Sequence, residues 1–154
     1  MSIRYSVLPV ASHPDLMDWL TKYNIDVPPL PNNNRYPSPQ EIKATLDALA
    51  GYQVTYDIDP QHWRAHVVSD KSPKRKWAKL QVVDFQGDEQ SPHDFWFDQG
   101  DPGVNLLILK HLSAACGPLI LSADANAVPI LVTSETDIAK ALEEWYERQL
   151  ASWR

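Results

Sequence analysis

Two stretches that contain histidine are the first places to look for chemistry. His62 and His66 are four residues apart, which is the spacing of a metal-binding pair on a helix. The surrounding residues alternate between apolar and polar as in a strand, where positions four apart lie on one face about 13 Å from each other. Direct ligands of one metal are much closer together. We therefore expect a pair on a solvent-facing sheet surface and no metal site.

The second stretch, 84–101, combines one histidine with many carboxylates. His93 and Asp94 are adjacent in the chain. Five more acidic residues lie nearby: Asp84, Asp88, Glu89, Asp98 and Asp101. General acid–base catalysis requires a histidine and a carboxylate held together in environments that separate their pKa values. The stretch therefore predicts an alternative function, a small-ligand binder or an enzyme. The loop at Asp124 would contribute to the same site.

Other catalytic groups are not indicated. The single cysteine, Cys116, falls at the C-terminal end of a predicted helix, where the helix dipole disfavours a thiolate. We expect it to pack in the core, and it has no second cysteine with which to form a disulfide. No serine lies in a G-x-S-x-G motif, and no Walker loop or dinucleotide-binding glycine pattern is present. We therefore expect no cofactor and favour a protein that is not an enzyme.

A basic segment that contains a tryptophan is the best candidate for a binding surface. Between Arg64 and Lys79 the chain carries six cations and one acid, although its net charge is −6. Cations beside aromatic rings are typical of contacts with nucleic acids or acidic proteins, and the alternative is a solvated hairpin whose lysines protect a strand edge. Trp96 is a second ring expected at an exposed interface. The candidate partner-binding residues are Lys74, Arg75, Lys76, Trp77, Lys79 and Trp96.

Several strands must position these side chains. Alternating patterns predict strands over the following ranges: 52–58, 62–69, 74–85 and 93–98. An antiparallel meander is the economical arrangement, with one face packed on helices and the other in water. A further strand is expected over 3–10. Because Pro9 cannot donate to a central ladder, we expect that strand at an edge of the sheet.

The stretch 95–132 organises the rest of the chain. Asp101 and Pro102 have the sequence of a helix start, and Gly117 ends the same helix. This helix is apolar over most of its circumference, which predicts a central position. Two short apolar strands follow it, over 119–121 and 128–132, and we expect them to form a hairpin around a turn at 124–126.

Three more helices are predicted. One covers about 12–24, and a second begins at Ser38 with a capping box that includes Glu41. The last covers about 135–153 with Ser134 as its cap. A proline-rich loop over 25–38 connects the first two helices, and its prolines either pack across the helices or serve as a ligand for a proline-binding module.

These elements predict one α+β domain over 1–154, with a mostly antiparallel sheet of five to seven strands packed against about four helices. No apolar run approaches the roughly 20 residues that a membrane span requires, and the N-terminus does not resemble a signal peptide. A cytoplasmic protein without a membrane partner is therefore expected.

The leading hypothesis for function is a small protein-binding module, and in a specific form an inhibitor of the immunity or antitoxin type. An acidic inhibitor can associate rapidly with a basic enzyme because their opposite charges steer the encounter. Weak RNA binding through the basic segment 71–79 is the remaining alternative, although the net negative charge argues against nucleic acid as the main partner. The partner's identity and the oligomeric state stay open.

Overall fold

Alternating side chains build a seven-stranded antiparallel sheet. The computed structural model describes residues 4–70, 75–123 and 128–152. Its strands are β1 (Arg4–Pro9), β2 (Tyr52–Ile58), β3 (Trp63–Ser69), β4 (Trp77–Val82), β5 (Phe95–Asp98), β6 (Leu119–Ala123) and β7 (Ile130–Val132). Their order across the sheet is β2-β3-β4-β5-β1-β6-β7, and all neighbours are antiparallel. The predicted meander over β2–β5 is confirmed, and so is the β6–β7 pair, whose predicted turn at 124–126 lies outside the described residues.

The helices within the described ranges agree with the predicted number. They are α1 (Asp15–Lys22), α2 (Pro39–Asp47), α3 (Pro102–Cys116) and α4 (Ile138–Ser152), together with a single 3-10 turn over Val10–Ser12. The predicted α+β class, with a sheet of up to seven strands and about four helices, is therefore confirmed. Within these same ranges, no helix combines the length and the apolar character that crossing a membrane requires.

Two local predictions about element positions were wrong. The first strand lies between β5 and β6 in the middle of the sheet, because Pro9 is its last residue and interrupts only the end of the ladder. The last helix begins at Ile138 and not near Glu135. Ser134 lies in the turn before that helix, and the carboxylate that accepts from an amide of the first turn belongs to Asp137, whose Oδ1 is 3.1 Å from the Lys140 amide.

One face of the sheet packs against α2, α3 and α4 and contains the main core; we call it the helix face. Side chains of α3 such as Leu106 and Ile108 are completely buried against it, as expected of a central helix. Cys116 is also completely buried, as predicted. The indole nitrogen of Trp145 donates to the Val128 carbonyl oxygen at 2.9 Å, which fixes α4 to the chain before β7.

The opposite face, which we call the outer face, is divided into two halves. Over β6, β7 and the end of β1 it is apolar and is covered by α1 and the loop that follows; this is the covered half. Its residues include Leu8, Ile120 and Leu131 of the strands, and Leu16, Trp19, Leu20, Ile25, Val27 and Leu30 of the cover. The remainder, over β2–β5 and the start of β1, is the open half. Its side chains are Arg4, Gln53, Thr55, Asp57, Arg64, His66, Val68, Trp77, Lys79, Gln81, Trp96 and Asp98.

The proline-rich loop over 25–38 is packed onto the junction between α3 and β6. The Asn34 side-chain amide donates to the carbonyl oxygens of Cys116 and Pro118, at 2.8 and 2.9 Å, and its oxygen accepts from the Ala11 amide at 2.7 Å. At Gly117, which has a φ of +76°, a Cβ atom would lie 2.8 Å from Cγ of Pro31. Glycine therefore allows the loop to approach this closely.

Candidate binding surface on the open half of the sheet

The open half arises because each strand of the meander directs alternate side chains to opposite faces of the sheet. In β3, for example, Ala65 and Val67 point into the core while Arg64 and His66 point to the outer face. Cross-strand pairing brings side chains from distant parts of the sequence together, and His66 lies opposite Lys79 of β4. No described segment packs over these side chains as α1 does over the covered half.

Trp96 lies at the boundary between the two halves. It pairs with Gln81 of β4 on one side and with Ser6 of β1 on the other. The guanidinium carbon of Arg4 lies 3.9 Å from the centroid of its ring, in a cation–π contact. The ring remains partly exposed, and so this boundary presents an aromatic surface with a positive charge stacked on it.

Trp77 occupies the other end of the face. Its ring meets the His66 ring edge-on, with 6.1 Å between centroids, and the Lys79 ammonium lies 5.4 Å from its centroid. The backbone of Gly100 passes so close to this strand that an added Cβ would lie 2.7 Å from the Trp77 carbonyl oxygen. The Asp101 amide donates to the same oxygen at 2.8 Å, so the start of α3 holds the backbone of Trp77 in place.

The charges of the open half differ in sign from those of the whole chain. It carries the cations Arg4, Arg64 and Lys79 against Asp57 and Asp98, which gives a net charge of +1 in a chain of −6. Among the described residues, no carboxylate oxygen lies within 4.0 Å of a side-chain nitrogen of these three cations. These charges are therefore available to a partner.

The centre of the open half is concave. A depression of about 490 Å³ spans β2 to β5, and its lining includes Arg64, His66 and Lys79 as well as the carboxylates Asp57 and Asp98. Partial burial, together with the positive charge of Lys79, lowers the pKa of His66. The histidine is therefore mostly neutral at neutral pH, and an anion placed in the depression would favour its protonated form.

The structure brings half of the predicted partner-binding residues to this surface. Trp77, Lys79 and Trp96 all lie on the open half. Arg75 and Lys76 are exposed and immediately precede β4 at its border. The sixth predicted residue, Lys74, lies outside the described residues.

Arg4, Arg64 and His66 are members of the surface that were not among the predicted partner-binding residues. Arg64 and His66 could have been found from the alternation in β3, because each lies one residue from a buried neighbour. Arg4 carried no signal, since its contact with Trp96 joins positions far apart in the sequence.

The predicted histidine–carboxylate centre is only partly assembled. His93 Nε2 lies 3.4 Å from an Asp88 carboxylate oxygen, and its Nδ1 lies 3.2 Å from the Val83 carbonyl oxygen. Asp101 instead caps α3 by accepting from the Val104 amide at 3.1 Å. Asp98 belongs to the open half, and Asp124 lies outside the described residues. The depression of about 490 Å³ and a second cavity of about 460 Å³ are lined by residues other than His93.

His62 lies just outside the sheet. It precedes β3 in the hairpin, where its ring nitrogens lie 3.0 Å from Asp57 Oδ1 and 3.1 Å from Asp59 Oδ2. His66 is on the open half, and the Asp57 side chain that His62 contacts belongs to the same half. The described residues contain no group of three histidine, cysteine or acidic side chains with the geometry of a metal site.

Comparisons with known proteins give no further assignment. No family model, no curated protein and no solved structure matches this chain.

Proposed function

We propose that this protein is a binding module that uses the open half of its sheet to bind an acidic surface of another protein. The observation that supports this most directly is the combination of two partly exposed tryptophan rings with Arg4, Arg64 and Lys79 on one uncovered face. Tryptophan and arginine are the side chains that most often dominate the energy of protein–protein interfaces.

The charge distribution supports an acidic partner. A face of net charge +1 on a chain of −6 attracts carboxylates at close range, while the rest of the molecule repels them. Such polarity fixes the orientation in which an acidic partner docks. The depression of about 490 Å³ is lined by Arg64, His66 and Lys79 together with Asp57 and Asp98, and we expect one side chain of that partner to enter it beside the cations.

In its specific form the proposal is an inhibitor of the immunity or antitoxin type. The module would block its target by binding over an acidic part of the target's surface. The open half therefore favours a target with clustered carboxylates, whereas the overall charge alone suggested a basic enzyme. Loss of the target's activity on adding equimolar protein would support this form, and unchanged activity would reduce the proposal to binding alone.

The test is capture of a partner with variants that separate the open half from the rest of the surface. Tagged wild-type protein and the variants Trp96→Ala and Lys79→Glu are used on lysate of the native host at low and moderate salt. Tyr146→Ala is the matched control, because this ring is 52% exposed and lies on α4. We expect near-stoichiometric capture by the wild type and the control, and loss of capture in both open-half variants. Equal capture by all four proteins would overturn the proposed surface.

A second candidate is single-stranded RNA. Aromatic rings and cations on an open antiparallel sheet are the arrangement on which several RNA-binding domains stack bases, and Trp77 and Trp96 provide such rings. The cation stacked on Trp96 leaves one side of that ring less available, which favours a protein partner. Quenching of tryptophan fluorescence by an oligouridine, with affinity that falls steeply with salt, would favour RNA.

A further inference from the structure

The two edges of the sheet differ in how they are protected. At one edge, β7 has three residues and directly follows Pro129. At the other edge, β2 has seven residues and pairs with β3 in a constant register without a bulge. It contains no lysine and no proline, and Asp57 is its only charged residue. Protected edges usually carry one of these devices, since an unprotected edge is a template for another strand.

The hydrogen bonds of the β2–β3 hairpin show which backbone groups of β2 are free. The Asp59 amide donates to the His62 carbonyl oxygen at 3.0 Å, and the Asp70 amide donates to the Gly51 carbonyl oxygen at 2.8 Å. Because hydrogen-bonded pairs alternate along an antiparallel ladder, the odd-numbered residues of β2 bond to β3. The even-numbered residues then direct their N–H and C=O groups outward: Tyr52, Val54, Tyr56 and Ile58.

The same four residues form an apolar strip along the edge. Their side chains are half-buried against the main core, on the helix face, while Thr55 and its odd-numbered neighbours are exposed on the open half. In the part of the chain that the structure describes, no hydrogen bond is made by the outward backbone groups of this strip. The edge thus offers unpaired backbone groups next to partly buried apolar side chains.

We propose that a second copy of this chain docks on this edge, with the two β2 strands antiparallel about a two-fold axis at Thr55. Thr55 is the midpoint of β2, so this register pairs all seven residues of each strand. Tyr52 then lies opposite Ile58 of the second copy and Val54 opposite its Tyr56, which matches apolar side chains on one face. On the other face Asp57 lies opposite Gln53, so no like charges meet. The sequence of β2 is self-complementary in this register.

The register also satisfies the backbone. Val54 and Tyr56 of the two copies form hydrogen-bonded pairs, since both residues direct their backbone groups outward. Thr55 and its symmetry mate form the non-hydrogen-bonded pair between them, in which Cα atoms are about 4.5 Å apart. The two sheets join into one of fourteen strands. Because the axis is perpendicular to the sheet, both open halves lie on the same side and form one continuous surface.

A cysteine cross-link at the axis tests the register. In Thr55→Cys the two thiols face each other at a separation that a disulfide can span. In the control Gln53→Cys, on the same face of the same strand, the two thiols lie about 13 Å apart. The natural Cys116 is completely buried and does not compete. Under copper–phenanthroline oxidation we expect a disulfide-linked dimer from Thr55→Cys and very little from Gln53→Cys.

The oligomeric state of the unmodified full chain is measured by light scattering over the range of soluble concentrations. We expect a mass of two chains of 17.5 kDa. A mass of one chain at every concentration overturns the proposal, and so does equal cross-linking of the two cysteine variants. A dimeric mass without the Thr55→Cys cross-link also overturns it, because the interface then lies elsewhere.

Charged substitutions at the axis provide a second test that does not require disulfide formation. Thr55 is exposed, so Thr55→Lys and Thr55→Glu are expected to fold, which circular dichroism verifies. Each variant alone places like charges opposite each other and is expected to be monomeric, whereas an equimolar mixture regains the dimer. A mixture that stays monomeric, or single variants that stay dimeric, contradicts the proposed axis.

Discussion

The covered and open halves of the outer face belong to the same sheet but have opposite chemistry. In the covered half, Ile120 is completely buried and Leu8 partly buried beneath α1 and the loop that follows it. In the open half, the outward positions carry cations, carboxylates and two partly exposed tryptophans. The same strand, β1, contributes to both: Arg4 belongs to the open half and Leu8 to the covered half. One half thus contributes to stability, and the other half leaves its groups available for binding.

Burial explains this division. Removing apolar side chains from water stabilises the fold by about 25 cal/mol for each Å², and the covered half makes use of this contribution. The exposed cations of the open half contribute little to folding, since isolated surface charges are screened by solvent. Substitutions should therefore separate into those that affect unfolding and those that affect binding.

The largest effect on stability is expected from the covered half. Leu20 of α1 is completely buried in the apolar cluster of the covered half. Leu20→Ala leaves a cavity there, and we expect a loss of about 2–5 kcal/mol in the free energy of unfolding, measured with urea. Lys79→Ala in the open half is the comparison and should change the same free energy by less than about 0.5 kcal/mol. Similar losses in the two variants would abolish the distinction between the halves.

The loop that covers the junction of α3 and β6 should be nearly as sensitive. Gly117→Ala introduces a Cβ against Pro31 and Asn34 in addition to the strain of a positive φ. Gly51→Ala is the matched control, because its φ is +83° and an added Cβ meets nothing within 4 Å. We expect Gly117→Ala to cost more than about 1 kcal/mol beyond its control in thermal or urea unfolding. Equal losses of stability in the two variants would show that the loop moves to accommodate the added Cβ atom.

The ion pair that anchors the same loop to α2 should produce a smaller, pH-dependent effect. Arg35 binds the Glu41 carboxylate with nitrogen–oxygen distances of 2.7 and 3.0 Å, and this contact lowers the pKa of Glu41 from 4.5 to about 2. Because the folded pKa is the lower one, the stabilisation is complete above pH 4.5 and disappears as the pH falls through about 2.

Glu41→Gln measures this contribution. Both side chains of the pair are about a third exposed, so we expect a loss of only about 1 kcal/mol at neutral pH. The unfolding free energies of the variant and the wild type should converge towards pH 2. A difference that is independent of pH would show that the charge of the Glu41 carboxylate does not contribute to stability.

The smallest expected effect is a pH dependence of binding to the open half. Burial and Lys79 lower the pKa of His66 in the free protein, and a bound carboxylate would raise it. Binding then takes up protons, so affinity for an acidic partner should increase several-fold as the pH falls from 7.5 to 5.5. Titration calorimetry with the captured partner measures this, and His66→Gln should remove the pH dependence. An affinity that decreases at low pH would indicate that the bound group is not an anion.

Local chemistry explains which structural features could be predicted from the sequence. The capping residues Ser38 and Asp101, and the alternation along β2 to β5, depend on neighbours within a few positions, so the starts of α2 and α3 and the meander were predictable. The central position of β1 was not, because strand order depends on contacts between distant segments. Of the acids in 84–101, only Asp88 has a carboxylate oxygen within 4.0 Å of a His93 ring nitrogen, since nearness in sequence does not determine where side chains point.

By itself, the sequence determined that the chain forms an α+β domain with strands that have one apolar and one polar face. It also indicated that Trp77, Lys79 and Trp96 would be candidates for binding. Only the tertiary structure decided that these three residues share a surface with Arg4, Arg64 and His66, and that α1 leaves this surface uncovered. The physical reason is that periodicity specifies which way a side chain points, whereas strand order and helix packing specify which neighbours it meets.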